Sequence, residues 1–283
     1  MPLASVNGIE LYYEDYGDGA PIVFCHEYAA DRRLWRNQIN WFSRNFRCIA
    51  YNGRGYPPSS VPSDPAAYGH DVLVSDLAGL LDALKIERAH IVGVAAGGGV
   101  ALNFAIRHPG RVRSLCVVGA GAGSVDHPSW VAGAREMCRQ IDANGIQALV
   151  DIISSAPQRQ ALRLKDLLAW EEFLRDMRDL SPAGCSLVMS HGLVNRKPFF
   201  DIEPEIAALS MPVLVAVGDQ DLPAFESSVF LSRKAPHAAL AVFPFCGHLL
   251  PVEEPALFNE IVGDFITAVA GGRWGAWRAG DDG

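Results

Sequence analysis

Short apolar runs alternate with segments of helical spacing along the first third of the chain. GIELYYEDYG, beginning at Gly8, alternates apolar and polar positions like a half-buried strand and ends at the turn residues Gly17, Asp18 and Gly19. PIVFCH, from Pro21 to His26, is continuously apolar up to its last residue, the pattern of a strand covered on both faces. Leu34, Trp35, Ile39 and Phe42 then step at helical spacing, FRCIAYN reads as a second buried strand, and GRGYPPSSVPSDP as a loop. Val72 to Leu84 repeats apolar residues with helical period, RAHIVGV is a strand, GGGVALNFAIRHP a helix, and RVRSLCVVGAG a strand again. Strands alternating with helices predict a mostly parallel sheet flanked by helices on both faces.

From about Ser124 to Leu209 the strand pattern vanishes. Leu167, Trp170, Leu174 and Met177 step by threes and fours, as do Ile146, Leu149, Val150 and Ile153, predicting an all-helical insertion of roughly 80 residues. The earlier rhythm resumes with the strand MPVLVAVGDQD, the helix FESSVFLSRKAP, the strand AALAVFP and a helix from Pro255 to Ala268. Residues 1–123 and 210–270 are therefore expected to form one core, with 124–209 inserted in it. The glycine-rich 271–283, GGRWGAWRAGDDG, is expected to be a flexible tail.

Composition adds limits rather than chemistry. The 283 residues, 49% hydrophobic and 20% charged, suffice for one large α/β domain with an insertion. The net charge of −8 is not gathered into runs, so nucleic acid and anionic membrane surfaces are not expected partners. The start MPLASVNGIELYYEDYG lacks a basic stretch followed by an apolar one, and no window approaches the roughly 18 apolar residues of a membrane span. Six scattered cysteines without a C-x-x-C pair are expected to be free thiols in a reducing cytoplasm.

A parallel sheet places its site at the carboxyl ends of its strands. Beyond RAHIV stands GVAAGGGVAL, Gly93 to Leu102, with the frame of a nucleophile elbow, G-x-S-x-G, but with Ala95 at its centre. Beyond PIVFC come His26, Glu27 and Tyr28; beyond PVLVAV, Gly218-Asp219-Gln220-Asp221; beyond ALAVF, Pro244-Phe245-Cys246-Gly247-His248. An acid and then a histidine following an elbow complete the chain order nucleophile, acid, base.

From Gly8 to Ala268 the chain resembles an α/β-hydrolase, and most closely the small esterase, enol-lactonase and perhydrolase branch. Trp35, Gln38 and Asn52-Gly53-Arg54-Gly55, where D-x-R-G is usual, add to the likeness. The resemblance implies an α/β-hydrolase fold in which the inserted helices form a lid. It implies His248 as general base and acid, and Asp221, at the family's G-x-x-D position, as the residue that orients it. Asp219 is the nearest competitor, more often a turn or capping residue, and Asp126 a rarer location. His70, His90, His108, His127 and His237 lack a strand-end setting and keep a structural reading.

The resemblance further implies an oxyanion hole from the N–H groups of Tyr28 and Ala96. Glu27 stands where glycine is usual, either facing solvent or binding substrate. Of the lid residues Trp130, Trp170, Phe173, Met177, Met189 and His191, one or two are expected to touch substrate, with Trp130, Trp170 and His191 foremost. Arg196-Lys197 reads as a solvated face, and Cys246 as an ordinary thiol beside the base loop. The expected partner is a small-molecule substrate, and a homodimer stays open. No metal or organic cofactor is implied, since no ligand-spaced cluster and no dinucleotide or phosphate-loop motif occurs.

Alanine cannot attack a carbonyl, so the chain as written is expected to be nearly inert as a covalent hydrolase of carboxylic esters or lactones, or of amide or carbon–carbon bonds. Three explanations stand. Ala95 is an engineered replacement of a nucleophile, serine first and aspartate or cysteine after it. Alternatively, Ala95 is native, and His248 with Asp221 serves a lyase or cofactor-free oxygenase that needs only a base. In the third, the protein is a non-catalytic ligand-binding homologue.

Overall fold

A computed structural model describes residues 2–275. Its centre is an eight-stranded sheet of β1 (Leu3–Val6), β2 (Ile9–Tyr16), β3 (Pro21–Cys25), β4 (Arg47–Tyr51), β5 (Ala89–Val94), β6 (Val112–Val118), β7 (Val213–Gly218) and β8 (Ala238–Phe243). The order across the sheet is β1-β2-β4-β3-β5-β6-β7-β8. β1 and β2 pair antiparallel, as do β2 and β4, whereas every pairing from β4 through β8 is parallel. β1 has no counterpart in the sequence reading: it is four residues long, with exposed positions alternating with buried ones.

The inner strands are continuously apolar because both faces are covered. Ile22 and Phe24 of β3, Val92 and Val94 of β5, and Leu214 and Ala216 of β7 enter one hydrophobic cluster. The residues between them, Val23, Ile91 and Val215, enter the other. This period-two division of a single apolar run is what a sheet sandwiched between helices requires. The first face is covered by α1 (Arg36–Phe42) and the C-terminal helix Pro255–Ala270, and the second by α2 (His70–Ala83) and α3 (Ala96–Arg107).

Among the described residues no strand lies between Val118 and Val213. That stretch folds as α4 (His127–Asn144), α5 (Ile146–Ser155), α6 (Gln160–Lys165), α7 (Leu167–Arg178), α8 (Pro182–Leu187), a π-helical turn over Val188–Leu193 and α9 (Glu203–Ala207). Side chains at helical spacing, Cys138, Ile141, Leu149 and Met177 among them, pack these helices over the first cluster. The chain ends with α10 (Leu222–Lys234), α11 (Leu250–Glu253) and α12 (Pro255–Ala270). Trp274 donates its indole N–H to the His237 carbonyl at 2.8 Å and packs edge-on against Phe265, so Gly271–Gly275 is docked. The rest of the expected flexible tail lies outside the described residues. No described helix is long and apolar enough to cross a membrane.

Candidate active site

The carboxyl ends of β3, β5, β7 and β8 converge on one cavity of about 160 Å³. The turn from β5 into α3 is made by Ala95, whose φ of 51° and ψ of −111° lie in a region that L-residues avoid. Its N–H is held by the Val118 carbonyl at 2.8 Å, and its carbonyl accepts from Gly99 at 3.0 Å. Glycine is required beside it. A Cβ on Gly97 would collide with the carbonyls of Cys25 and His26, and one on Gly93 with that of Gly97. The sharp turn thus depends on close packing of α3 against β3 and β5.

His248, from the loop after β8, lines this cavity, and Asp221, from the loop after β7, lies against it. His248 Nδ1 lies 2.7 Å from Asp221 Oδ2, and Asp221 is wholly buried. An ionised carboxylate can only accept, so Nδ1 carries the proton and Nε2 is the nitrogen left toward the cavity. Oδ1 of Asp221 has no hydrogen-bond partner among the described residues. The histidine's own N–H donates to Gln158 O at 2.9 Å. Glu253 grips both neighbours, accepting from Gly247 at 2.7 Å and from Leu249 at 2.8 Å. Glu253 was missed in the sequence because nothing in LLPVEEP distinguishes a carboxylate that turns back on its own loop.

Asp219 accepts the N–H of Cys246, and backbone hydrogen bonds from this loop lower its carboxyl pKa. Asp126 caps α4 through Ser129 N–H. Asp126 thus spends its carboxylate on its own helix start, and Asp219 on the backbone of the loop that carries His248. Cys246 is buried, its sulfur 3.2 Å from Lys165 Nζ, and burial pushes its thiol pKa up.

The loop after β3 is fixed by side chains that each satisfy one partner. Gly53 donates to His26 Nε2 at 2.9 Å, so His26 is protonated on Nδ1, which reaches the Glu27 carbonyl at 2.7 Å. Burial lowers the His26 pKa and keeps it neutral. Tyr56 donates to the Tyr28 carbonyl at 2.8 Å, and Tyr28 donates to Cys185 O at 3.0 Å. Tyr28 and Ala96 both line the cavity. As the first residue of α3, Ala96 has an N–H with no intrahelical acceptor.

Glu27 does not face solvent. It is 1% exposed and meets Arg159 through two contacts, Oε1 to Nη1 at 2.7 Å and Oε2 to Nη2 at 2.5 Å. Its Oε2 also lies 3.7 Å from His248 Nε2. Burial alone would raise the Glu27 pKa, but the Arg159 charge overrides it and holds the carboxyl below its ordinary range. Arg159 was not foreseen, because a single arginine in a polar helical stretch carries no sign of a buried partner.

Trp130 and Met189 line the cavity. Trp170 and His191 correct the sequence reading, since neither contributes to its wall. Trp170 packs against Phe173 inside the helical layer, and His191 Nδ1 is 2.8 Å from Ser190 Oγ. The helical period that suggested them reports burial, not which neighbour is met. Arg196 is a second correction: it is buried in the cavity wall, and only Lys197 is exposed. Among the described residues no group of His, Cys, Asp and Glu could hold a metal ion.

A family model described as the alpha/beta hydrolase fold matches residues 20–255. The chain is 31% identical to 2-hydroxymuconate semialdehyde hydrolase of a Pseudomonas species, over 92% of this chain and 91% of that one. It is 28% identical to 3-oxoadipate enol-lactonase 2 of Acinetobacter baylyi, over 90% and 92%. Among solved structures it superposes on a thermophilic esterase from Thermogutta terrifontis with a TM-score of 0.85 and 25% identity, covering 95% and 98% of the two chains. With these matches, the Ala95 turn and His248 on one cavity and Asp221 hydrogen-bonded to that histidine, the chain belongs to the α/β-hydrolase family.

Proposed function

We propose that this site is that of a serine-type hydrolase of carboxylic esters or lactones in which the nucleophile position is occupied by alanine. The observation that carries the reading is Ala95 in a strained elbow conformation, on the same cavity as the hydrogen-bonded His248–Asp221 pair. Strain of this kind has a use where a side chain must be presented to a ligand, and a methyl group draws none from it.

With serine at position 95, the hydroxyl would attack the substrate carbonyl while His248 Nε2 takes its proton. Asp221 would stabilise the resulting imidazolium, and the N–H groups of Tyr28 and Ala96 the oxyanion. The same histidine would return the proton to the leaving alkoxide, and water would then clear the acyl group. As written, the chain can bind the ester and polarise it but form no acyl-enzyme. The helices between β6 and β7 serve as the lid, and six buried free thiols fit a reducing cytoplasm.

The test is Ala95→Ser against p-nitrophenyl esters and small lactones. A gain of about a million-fold in turnover, with a burst and fluorophosphonate labelling, is expected. A folded Ala95→Ser protein that neither turns over nor is labelled would overturn the reading.

One observation favours a second reading. Ala95 and Glu27 depart from the family pattern, and both border His248; replacing one serine accounts for only the first. A native, nucleophile-free enzyme would use His248 as a base on a substrate C–H or on water, with Glu27 beside it. It predicts deuterium exchange into activated C–H substrates by the unaltered chain, lost in His248→Ala.

A further inference from the structure

Among the described residues three arginines are buried, Arg54, Arg159 and Arg196. Arg54 is paired with Asp76 through two hydrogen bonds of 2.8 Å, and Arg159 with Glu27. Among the described residues no carboxylate pairs with Arg196. Its Nη2 donates to the Ala122 carbonyl at 2.8 Å, and its buried Nε finds no acceptor among the described residues. Its guanidinium lies 5.9 Å from the Trp130 ring centre and 5.3 Å from that of Phe199, contacts that hold a cation in place without neutralising it. Burial lowers its pKa to about 10, which leaves it charged at neutral pH.

Such a cation is costly to bury unless something pairs with it. Arg196 forms part of the same cavity wall as Ala95, Ala96 and His248. It also lies against Gly99, where an added Cβ would stand 3.2 Å from Nη1. Gly99 lies one helical turn after Ala95, so the Arg196 guanidinium stands beside the first turn of α3, on the cavity that Ala95 also lines.

We propose that Arg196 is the anchor for a carboxylate on the substrate. The site then takes an ester or lactone that bears a free carboxylate a few bonds from the reacting carbonyl. The planar fork of the guanidinium suits two-point contact with a carboxylate, and the surrounding aromatic faces strengthen it by excluding water. The inference rests on the ester and lactone reading for the place of the carbonyl, but the anion site itself needs no turnover.

The chain as it stands suits the test, because Ala95 leaves a bound ester intact. Calorimetric titration with monomethyl glutarate, an anionic half-ester, and with dimethyl glutarate, its neutral counterpart, is expected to show the half-ester binding at least tenfold more tightly. Arg196→Met, which keeps the bulk against Trp130 and Phe199, should erase that preference. Arg196→Lys, which keeps the charge without the fork, should reduce it several-fold and serves if the methionine variant fails to fold. Equal or absent binding of the two probes, or a preference that survives Arg196→Met, would overturn the proposal. If Ala95→Ser hydrolyses neutral esters while the half-ester has no advantage, only the anion site fails. A silent Ala95→Ser alongside a preference that depends on Arg196 retains the anion site and removes the hydrolase reading.

Discussion

The carboxylate of Glu27, in the loop after β3, meets the guanidinium of Arg159, in the turn before α6, through two short contacts. Both side chains are buried, at 1% and 5% exposure, and the pair ties the loop after β3 to the helical segment above it. Removing one partner strands the other charge away from water. Glu27→Gln is therefore expected to destabilise the fold by about 3 kcal/mol, a fall of roughly 10 °C in Tm. The double variant Glu27→Leu, Arg159→Met should recover most of that loss. A double-mutant cycle by urea unfolding measures it, and additive single effects would show that the pair does not act as a unit.

The same pair sets an acid limit. Burial opposes ionisation of Glu27, Arg159 favours it more, and the folded carboxyl titrates below its ordinary value. A depressed carboxyl contributes stability above the pKa of the unfolded chain, and that contribution is lost as pH falls through the folded value. Unfolding free energy should fall with acidification below about pH 4.5, and the Glu27→Leu, Arg159→Met double variant should have a shallower slope there. Identical slopes would remove Glu27 from the acid transition.

His70, the first residue of α2, predicts a separate loss at higher pH. Both ring nitrogens are buried without a hydrogen-bond partner among the described residues, and burial, with the charges of Arg196 and Arg107, lowers its pKa to about 4. A histidine held neutral stabilises fully above its unfolded pKa near 6.5 and loses that contribution as pH falls toward 4. The cost is about 2 kcal/mol by pH 5. His90 titrates near the same value, its Nδ1 2.7 Å from Ser114 Oγ, so His70 carries only part of the curve. His70→Leu should be relatively more stable at pH 5 than at pH 7 in paired urea titrations. An unchanged difference would show that His70 is hydrated in solution.

How much of this was legible in the sequence follows from what each residue contacts. Phe24, Val92 and Leu214 sit in runs whose continuous apolarity reports burial on both faces, and the parallel sheet follows from it. The positions of Asp221 and His248 just past β7 and β8 also follow from chain order, and their side chains meet at 2.7 Å. Arg159 and Arg196 were beyond reach. Each stands among polar residues of the helical segment, and only the docking of that segment on the sheet decides that both are buried. Trp170 failed in the opposite way, since its helical spacing was real but faces Phe173 rather than the cavity.

Ala95 offers a stability test of the elbow. A non-glycine residue at φ 51° and ψ −111° costs on the order of 1–3 kcal/mol, and glycine returns part of that as unfolded-chain entropy. Ala95→Gly should therefore stabilise the protein by about 1 kcal/mol, whereas Ala95→Ser should leave stability close to its present value. Calorimetric melting of the three proteins checks both. A destabilised glycine variant would mean that the methyl group packs in the cavity wall more than the turn strains it.

The orienting acid can be identified among three aspartates in the Ala95→Ser background. Asp221 Oδ2 lies 2.7 Å from His248 Nδ1, whereas Asp219 accepts the backbone N–H of Cys246 in the loop after β8 and Asp126 that of Ser129 in its own helix start. Asp221→Asn cannot accept the Nδ1 proton in the same way and would favour the opposite tautomer, placing a hydrogen on Nε2 where a lone pair must receive the serine proton. Turnover should fall by about 10⁴-fold with KM little changed, because only the transition state uses the charge. Asp219→Asn and Asp126→Asn should lose far less and mainly in stability. If Asp219→Asn instead silences the enzyme while Asp221→Asn spares it, the histidine is oriented from the turn after β7 and not from the first residue before α10.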